Sequence, residues 1–386
     1  MSFKRLFSRS LSAAPGRLHM AAHSHHLWPD SSFEGHQQSW LDAASMADRK
    51  WDKVMEEVWP EAQANVAAEL GVPADRIVFA SNTHDFLVRL FPAAPRRSPQ
   101  LQVLTSDGEF HSARRQLARW EETGMIAVER VAAEPFDTFS ARFLARAQSG
   151  EHDLILVSQI LFNSGRICEC SEGLAVLAKP DGPWVVIDGY HAFMALENPF
   201  LETTAQSAFY LGGGYKYAMA GEGMAFMHCP PGFGSRPPIT GWFAEFGELT
   251  APPGSSVGYT KDAMRFMGAT FDPSALYRFN HVRRMLAENH LDTARISAHV
   301  GVLQEQLLGA VTGTVLGRAE LLNPVDGQAH ARFLAFRSPH AQRWCAELMA
   351  SGCVTDVRGD VLRIGLGLYH DGQDIDRFAE LAADLS

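Results

Sequence analysis

Trp184-Val-Val-Ile-Asp188-Gly-Tyr-His191 and, shortly after it, Phe209-Tyr-Leu-Gly-Gly-Gly-Tyr-Lys216-Tyr217 are the stretches from which the fold is read. Each begins as an apolar run of strand length. The first closes on a carboxylate and the second on an amine. An acid at the end of a buried strand is costly unless it meets a cation or several donors. In open α/β sheets, ligands sit beyond the carboxyl ends of the strands, so polar residues that close apolar runs are candidate site residues. Two further runs end this way: Ser81-Asn-Thr83-His84 follows Ile77–Ala80, and Ser158-Gln159 follows Leu154–Val157.

Working outward, strand-like runs occupy 76–80, 101–105, 126–131, 153–158, 184–188, 209–211 and 224–228, with helical patterns at 112–122 and 137–147 between them. The stretch 39–70 also reads as a helix, with Trp40, Trp51, Val54, Val58 and Val66 near helical spacing, ended by Gly71-Val-Pro73. Strand and helix in alternation predict an α/β fold with a mostly parallel sheet covered on both faces. Residues 232–258, rich in Gly, Pro and Ser, read as a long surface loop and a candidate lid. After Pro273 the pattern is helical to about Leu308, and short strands at 332–336 and 361–368 complete a smaller α+β domain. The expected division is an N-terminal segment, 1–45, packing with the small domain; a large domain, 46–270; and a small C-terminal domain, 271–386.

The bulk numbers narrow the function. With 386 residues, 46% of them hydrophobic, the chain can bury a large core, and its net charge of −10 argues against general attraction to nucleic acid or anionic membranes. No apolar run is long enough to span a bilayer. Five cysteines, an odd and sparse set, argue against a disulfide framework and for a reducing, cytoplasmic setting. Cys168-Glu-Cys170 reads as structural. The basic, Ser-rich opening MSFKRLFSRSLSAAP has the composition of a transit peptide, but it is short and without a clear cleavage context, so a short arm is the favoured reading.

Lysine is scarce: Lys4, Lys50, Lys53, Lys179, Lys216 and Lys261 are the whole set. Lys216 alone follows an apolar, Gly-rich strand with no other cation nearby in sequence. An amine in an apolar pocket has a lowered pKa and becomes a nucleophile toward carbonyls. Pyridoxal-phosphate (PLP) enzymes need such a lysine and an acid that keeps the pyridinium protonated, and Lys216 and Asp188 suit those two roles. Rival readings are weaker. Gly212-Gly-Gly-Tyr-Lys216 lacks phosphate-loop spacing, with Tyr217 where Ser or Thr is needed. His19, His23, His25 and His26 have no carboxylate or cysteine at metal-ligand spacing, so no metal is expected.

Asp188-Gly-Tyr-His191, the segment ending Tyr215-Lys216-Tyr217, and Gly221-Glu-Gly223 resemble the class V branch of the fold-type I PLP enzymes, and within it the kynureninases. The resemblance runs from about Met20 to the end of the chain. It implies a fold-type I transferase architecture, with Lys216 holding the cofactor as a Schiff base, Asp188 at the pyridine nitrogen and His191 beside the ring. It places Tyr215, Asn82 and Thr83 at the phosphate, the last two at a helix N-terminus, and Phe110 on the ring face. Gly241-Trp242 resembles a Gly-Trp motif that reaches the phosphate, and Thr270 lies in a segment that meets the partner subunit's cofactor. Val354-Thr-Asp-Val-Arg358 and Val361-Leu-Arg-Ile364 resemble the C-terminal signature, so Arg363 is expected to clamp the substrate carboxylate, and His23 to lie on the substrate wall.

Two departures stand out. Phe110-His-Ser-Ala113 replaces the usual Phe-Pro-[Ser/Thr]-Asp, and Ala22-His-Ser-His-His26 replaces a Gly-Asn-Ser-Leu-Gly type segment. The resemblance implies a homodimeric enzyme that hydrolyses L-kynurenine or 3-hydroxykynurenine to an anthranilate and L-alanine. A class V aminotransferase or β-lyase acting on a different amino acid is the alternative. Cysteine desulfurase is discounted, because the loop Arg358-Gly-Asp-Val-Leu362 holds no cysteine and Cys353 falls where a buried element ends. A non-catalytic PLP-fold binding protein is discounted because Lys216 and Arg363 are both present.

Overall fold

The computed structural model describes residues 2–248, 256–325, 327 and 329–386. The N-terminal segment contributes a short strand, Leu18–His19 (β1). The large sheet follows in chain order: Ile77–Ala80 (β2), Leu101–Ser106 (β3), Ile126–Val131 (β4), Leu154–Ser158 (β5), Trp184–Asp188 (β6), Ala208–Gly213 (β7) and Ala225–His228 (β8). Their spatial order is β2-β8-β7-β6-β5-β3-β4. Only β8 runs antiparallel to its neighbours. Strands β5 and β7 are buried along their whole length, which is why they read as unbroken apolar runs: both faces of the sheet are covered.

Helices at Thr83–Ala93, His111–Glu122 and Phe136–Ala147 connect the strands. Each turns an apolar stripe inward: Phe86, Leu87, Leu90 and Phe91 in the first, Ala113 and Leu117 in the second, and Phe139, Phe143 and Ala147 in the third. The C-terminal part is built on Glu320–Leu321 (β9), Phe333–Arg337 (β10), Cys353–Val354 (β11), Asp356–Arg358 (β12) and Val361–Gly365 (β13). Four of these form an antiparallel sheet, β12-β13-β10-β9. The helices Ala341–Ala350 and Gly372–Ala383 belong to the same core, through Trp344, Leu348, Ile375 and Phe378. The N-terminal segment joins this part: β1 pairs with β11, and Lys4 lies 2.9 Å from both Asp371 and Asp374.

Three stretches depart from the sequence reading. The helix expected over 39–70 is two: Asp30–Met46, and, after a single 3-10 turn at Ala47–Arg49, a second that runs through Lys50–Lys53, a π-helical turn at Val54–Val58 and Trp59–Leu70. Ala47 breaks it with a φ of 51°, and Trp40 is 68% exposed, so it does not share the apolar face of Val54, Val58 and Val66. The helix expected from Pro273 to Leu308 is likewise two, Ser274–Glu288 and Thr293–Val311. His290 has a φ of 55° between them, and Asp292 caps the second by accepting from Arg295 N at 2.8 Å. Within 232–258, Phe233 and Phe243 are buried and Trp242–Glu248 is a short helical turn, so these parts are anchored to the core rather than free surface loop. Residues 249–255 of that stretch lie outside the described residues.

The helix Asp30–Met46 packs on Ser274–Glu288 at a backbone-to-backbone contact. A Cβ at Gly35 would sit 2.7 Å from the Tyr277 carbonyl oxygen and 2.9 Å from Arg278 Cα. Backbone cannot step aside as a side chain does, so Gly35→Ala is expected to destabilise the chain by ~1–3 kcal/mol. Urea unfolding of the two proteins reads this directly, and an unchanged midpoint would show that the helices separate freely.

Candidate active site

Five strand ends deliver the site. Beyond β2, Ser81, Asn82, Thr83 and His84 begin the helix Thr83–Ala93; beyond β3 comes Phe110; beyond β5, Ser158, Ile160 and Phe162; beyond β6, Asp188, Tyr190 and His191; beyond β7, Tyr215 and Lys216. With Ser112, Glu222 and Gly223 they line one cavity of about 300 Å³. Asn82 caps the helix by accepting from Asp85 N at 3.0 Å, which presents a helix N-terminus, favourable to anions, at one end of the cavity. Gly213 has no side chain because a Cβ there would strike the Tyr190 hydroxyl. The Gly-rich approach to Lys216 is therefore room for an aromatic ring.

Lys216 is 5% exposed. Its Nζ lies 2.5 Å from His191 Nε2, and 5.0, 5.8 and 5.8 Å from the ring centroids of Tyr190, Phe110 and Tyr215. Burial pulls its pKa down to about 7; Asp188 opposes the shift and Arg363 adds to it. Asp188 accepts from Tyr190 N at 3.0 Å. Burial raises its pKa, while the Tyr190 N–H and Lys216 pull the other way. Burial, aided by the charges of Lys216 and Arg363, holds His191 well below the ordinary histidine value, so its ring is neutral. A nucleophilic amine, a carboxylate at a strand end and an anion-favouring helix terminus thus face one space.

Arg363 and His23 do not line this cavity; they pack behind it. Arg363 is 3% exposed, donates from Nη1 to the Phe162 carbonyl at 2.5 Å, and is ion-paired through Nη2 with Asp356. Its Nε has no partner among the described residues. His23 stacks on Phe333 at 4.7 Å and lies 3.6 Å from Asp356. Burial, then the charge of Arg363, lowers its pKa to about 3. Trp242 and Thr270 are exposed and stand outside the cavity of this chain. The structure therefore gathers Asn82, Thr83, Phe110, Asp188, His191, Tyr215 and Lys216, sets Arg363 and His23 one layer back, and leaves Trp242 and Thr270 apart.

Sequence reasoning gave no role to Tyr190, Phe162, Glu222 or Glu109, nor to Asp356 as the partner of Arg363. Tyr190, Glu222 and Asp356 sat inside motifs already singled out, but without a role; Phe162 and Glu109 are brought to the site only by the fold. The four N-terminal histidines diverge: His19 meets Tyr369 Oη at 2.7 Å, His25 meets Glu222 at 3.1 Å, His26 meets the Leu27 carbonyl at 2.7 Å, and His23 turns to Asp356. Among the described residues no three His, Cys, Asp or Glu side chains gather as metal ligands. A larger cavity of about 670 Å³, lined in part by Gln159, Arg166, Cys168 and His330, includes neither Lys216 nor Asp188.

Residues 297–381 match the kynureninase C-terminal domain. No curated protein sequence matches the chain significantly. Among solved structures, the cystine C–S lyase C-DES, in complex with its reaction product cysteine persulfide, superposes with a TM-score of 0.78 at 15% identity, over 97% of this chain and 100% of that one. A further C-DES structure carries glycine covalently linked to its PLP cofactor. The apo cysteine desulfurase from Thermococcus onnurineus NA1 gives 0.78 at 17% identity, over 100% and 99% of the two chains. The cysteine desulfurase CsdA from Escherichia coli gives 0.79 at 15%, over 98% and 96%. The fold is the one expected, that of the fold-type I PLP enzymes, with a large, mostly parallel sheet and a C-terminal domain.

The Lys216 shift has a sign that can be tested in the chain without cofactor. Its folded pKa of about 7 lies below the ordinary 10.5. Between those values the unfolded chain binds the extra proton, so this group makes stability rise with pH, by at most ~1.4 kcal/mol per unit. The stability of the wild type relative to Lys216→Met is expected to grow between about pH 7 and about pH 9. Parallel urea curves at the two pH values would rule out a depressed amine.

Proposed function

We propose that this chain is a PLP-dependent enzyme acting on an amino acid, and more specifically a hydrolase of the kynureninase kind. The observation that carries the cofactor reading is the buried Lys216 amine, held near neutrality by its surroundings, in one cavity with Asp188 and a capped helix N-terminus. What favours kynureninase-like chemistry within the class is the matched C-terminal domain, which contains Arg363.

The residues present fit the group. Asp188 is a carboxylate raised by burial, and a pyridinium N–H would supply the positive charge it lacks. Ser81, Asn82 and Thr83 border the helix N-terminus, where a phosphate dianion is favoured by the dipole and by free N–H groups. Phe110 and His191 flank the space between these ends. When bound, PLP supplies an electron sink for carbanion chemistry at the amino acid's α carbon.

The chain's own residues supply the rest. Lys216 Nζ, with a substantial neutral fraction near pH 7, can take a carbonyl as nucleophile and a proton as base. His191 Nε2, at 2.5 Å, orients that amine. Phe110, Phe162 and Ile160 keep the cavity apolar around the amine. Arg363, one layer behind the cavity and with Nε unpaired among the described residues, is the cation we assign to the substrate carboxylate. Its contact with the Phe162 carbonyl ties it to a residue of the cavity wall.

A class V aminotransferase or β-lyase reaction on another amino acid is the second reading, favoured by the histidines of 22–26 and by His111, Ser112 and Ala113. Desulfuration through a cysteine persulfide has less support: no cysteine lines the cavity, and the Cys353 thiol is buried in β11 and pushed up to about 12. A homodimer is part of this proposal: Thr270 lies in a segment that resembles one meeting a partner's cofactor, and both Trp242 and Thr270 are exposed and outside this chain's own cavity.

Purified protein loaded with PLP and given L-kynurenine or 3-hydroxykynurenine is expected to release alanine and the matching anthranilate in equal amounts. A loaded protein that releases neither moves the reading to another class V substrate. Lys216→Ala is expected to abolish fixation of the cofactor to the chain by borohydride, read by mass spectrometry. Arg363→Ala is expected to weaken amino-acid binding by ~2 kcal/mol or more, and an unaltered affinity would remove Arg363 from the clamp.

A further inference from the structure

The large sheet opens at its carboxyl edge. Strand β3 stays paired with β4 as far as Ser106 and Val131, and β5 stays paired with β6 as far as Ser158 and Asp188. Between β3 and β5, however, the ladder holds only Val103–Leu154 and Leu104–Ile155. Beyond those pairs the two strands part, and this split separates the two sides of the cavity. Phe110 follows β3, whereas Ser158 and Asp188 end β5 and β6.

One side chain spans the split. Glu109 is 2% exposed and touches neither substrate nor cofactor space. Its Oε1 accepts from Ser106 Oγ at 2.6 Å, on the β3 side, and from Ser158 N at 3.1 Å, on the β5 side. Its Oε2 accepts from Ser158 Oγ at 2.5 Å. Three donors converge on one carboxyl group, from both banks of the opening. Phe110, the next residue, turns the other way and lines the cavity. Burial pushes Glu109 up to about 7 against the pull of these donors, and Asp188 adds to the rise. A carboxyl group held in the core at this desolvation cost needs a task there.

We propose that Glu109 is a positioning residue, a clasp that ties the parted ends of β3 and β5 and so sets the spacing between Phe110 on one bank and Ser158 and Asp188 on the other. The distance between the ring-facing aromatic and the strand-end acid is thereby defined by side-chain hydrogen bonds, where the sheet ladder no longer defines it. The proposal rests on the reading that this cavity holds PLP.

The test compares wild type, Glu109→Gln and the double variant Ser106→Ala/Ser158→Ala, each loaded with PLP. The amide keeps the size of the carboxyl group but offers one acceptor oxygen in place of two. The double variant keeps the carboxyl group and removes two of its three donors, and serves if Glu109→Gln does not fold. Far-UV circular dichroism and thermal melting report the fold; circular dichroism in the visible band of the bound cofactor reports how the ring is held. The clasp is expected to reduce that visible signal about twofold or more when broken, and to raise the PLP dissociation constant about tenfold, the scale of one lost buried hydrogen bond. A purely structural role would lower the melting temperature and leave the visible signal of the bound cofactor as in wild type; that outcome overturns the clasp. A wild type that takes up no PLP instead overturns the reading of the cavity on which it rests.

Discussion

Burying the Lys216 amine among the rings of Tyr190, Phe110 and Tyr215 removes the hydration that ordinarily keeps a lysine charged. Much of the carboxyl edge is arranged around that cost. Asp188, on the neighbouring strand, supports the charged form, and Arg363 opposes it from behind. The balance leaves an amine that can be neutral at ordinary pH without losing its partner acid. Parallel strands make this possible, because the neighbouring β6 and β7 deliver an acid and an amine to the same edge.

Much of this was legible in the sequence because the central strands are buried on both faces and show as unbroken apolar runs. β5 and β6 begin and end within a residue of where those runs do. Lys216 and Asp188 were legible for a related reason: a polar group closing such a run has nowhere to go but the edge. Two of the three errors fell on helices. In 39–70 and 274–308, apolar spacing continued across breaks made by residues with positive φ, Ala47 and His290. Neither is a glycine, the residue that ordinarily marks a positive φ, so spacing alone could not find the breaks.

What stayed hidden in the site was long-range pairing. Asp356 and Arg363 stand seven residues apart and face each other in register across β12 and β13, a relation that needs the hairpin to be known. Phe162 lies on the connection after β5, yet its carbonyl accepts from Arg363 in the C-terminal domain. Glu109 adjoins Phe110, a residue singled out from the sequence, but its own partners belong to two different strands. Local pattern identifies which residues reach the edge. It does not say what holds them at a given spacing once there.

The neighbourhood of Arg363 bears on how a substrate is received. Asp356 is shared: it pairs with Arg363 and lies 3.4 Å from Arg358, with His23 at 3.6 Å. Burial raises its carboxyl group, but the hydrogen bond to His23 and then the charges of Arg363 and Arg358 hold it far below the usual range, so it is ionised throughout ordinary pH. His23 is neutral. Two positive charges therefore meet one negative charge, and the cluster keeps a net positive charge close behind Lys216. A carboxylate in the cavity would lie in the field of that surplus, one layer in front of Arg363. It would also offset the positive potential that lowers the Lys216 pKa, so binding the acid group of a substrate would strengthen the amine as a base. Under the proposed function, substrate capture and proton transfer would be coupled through one arginine.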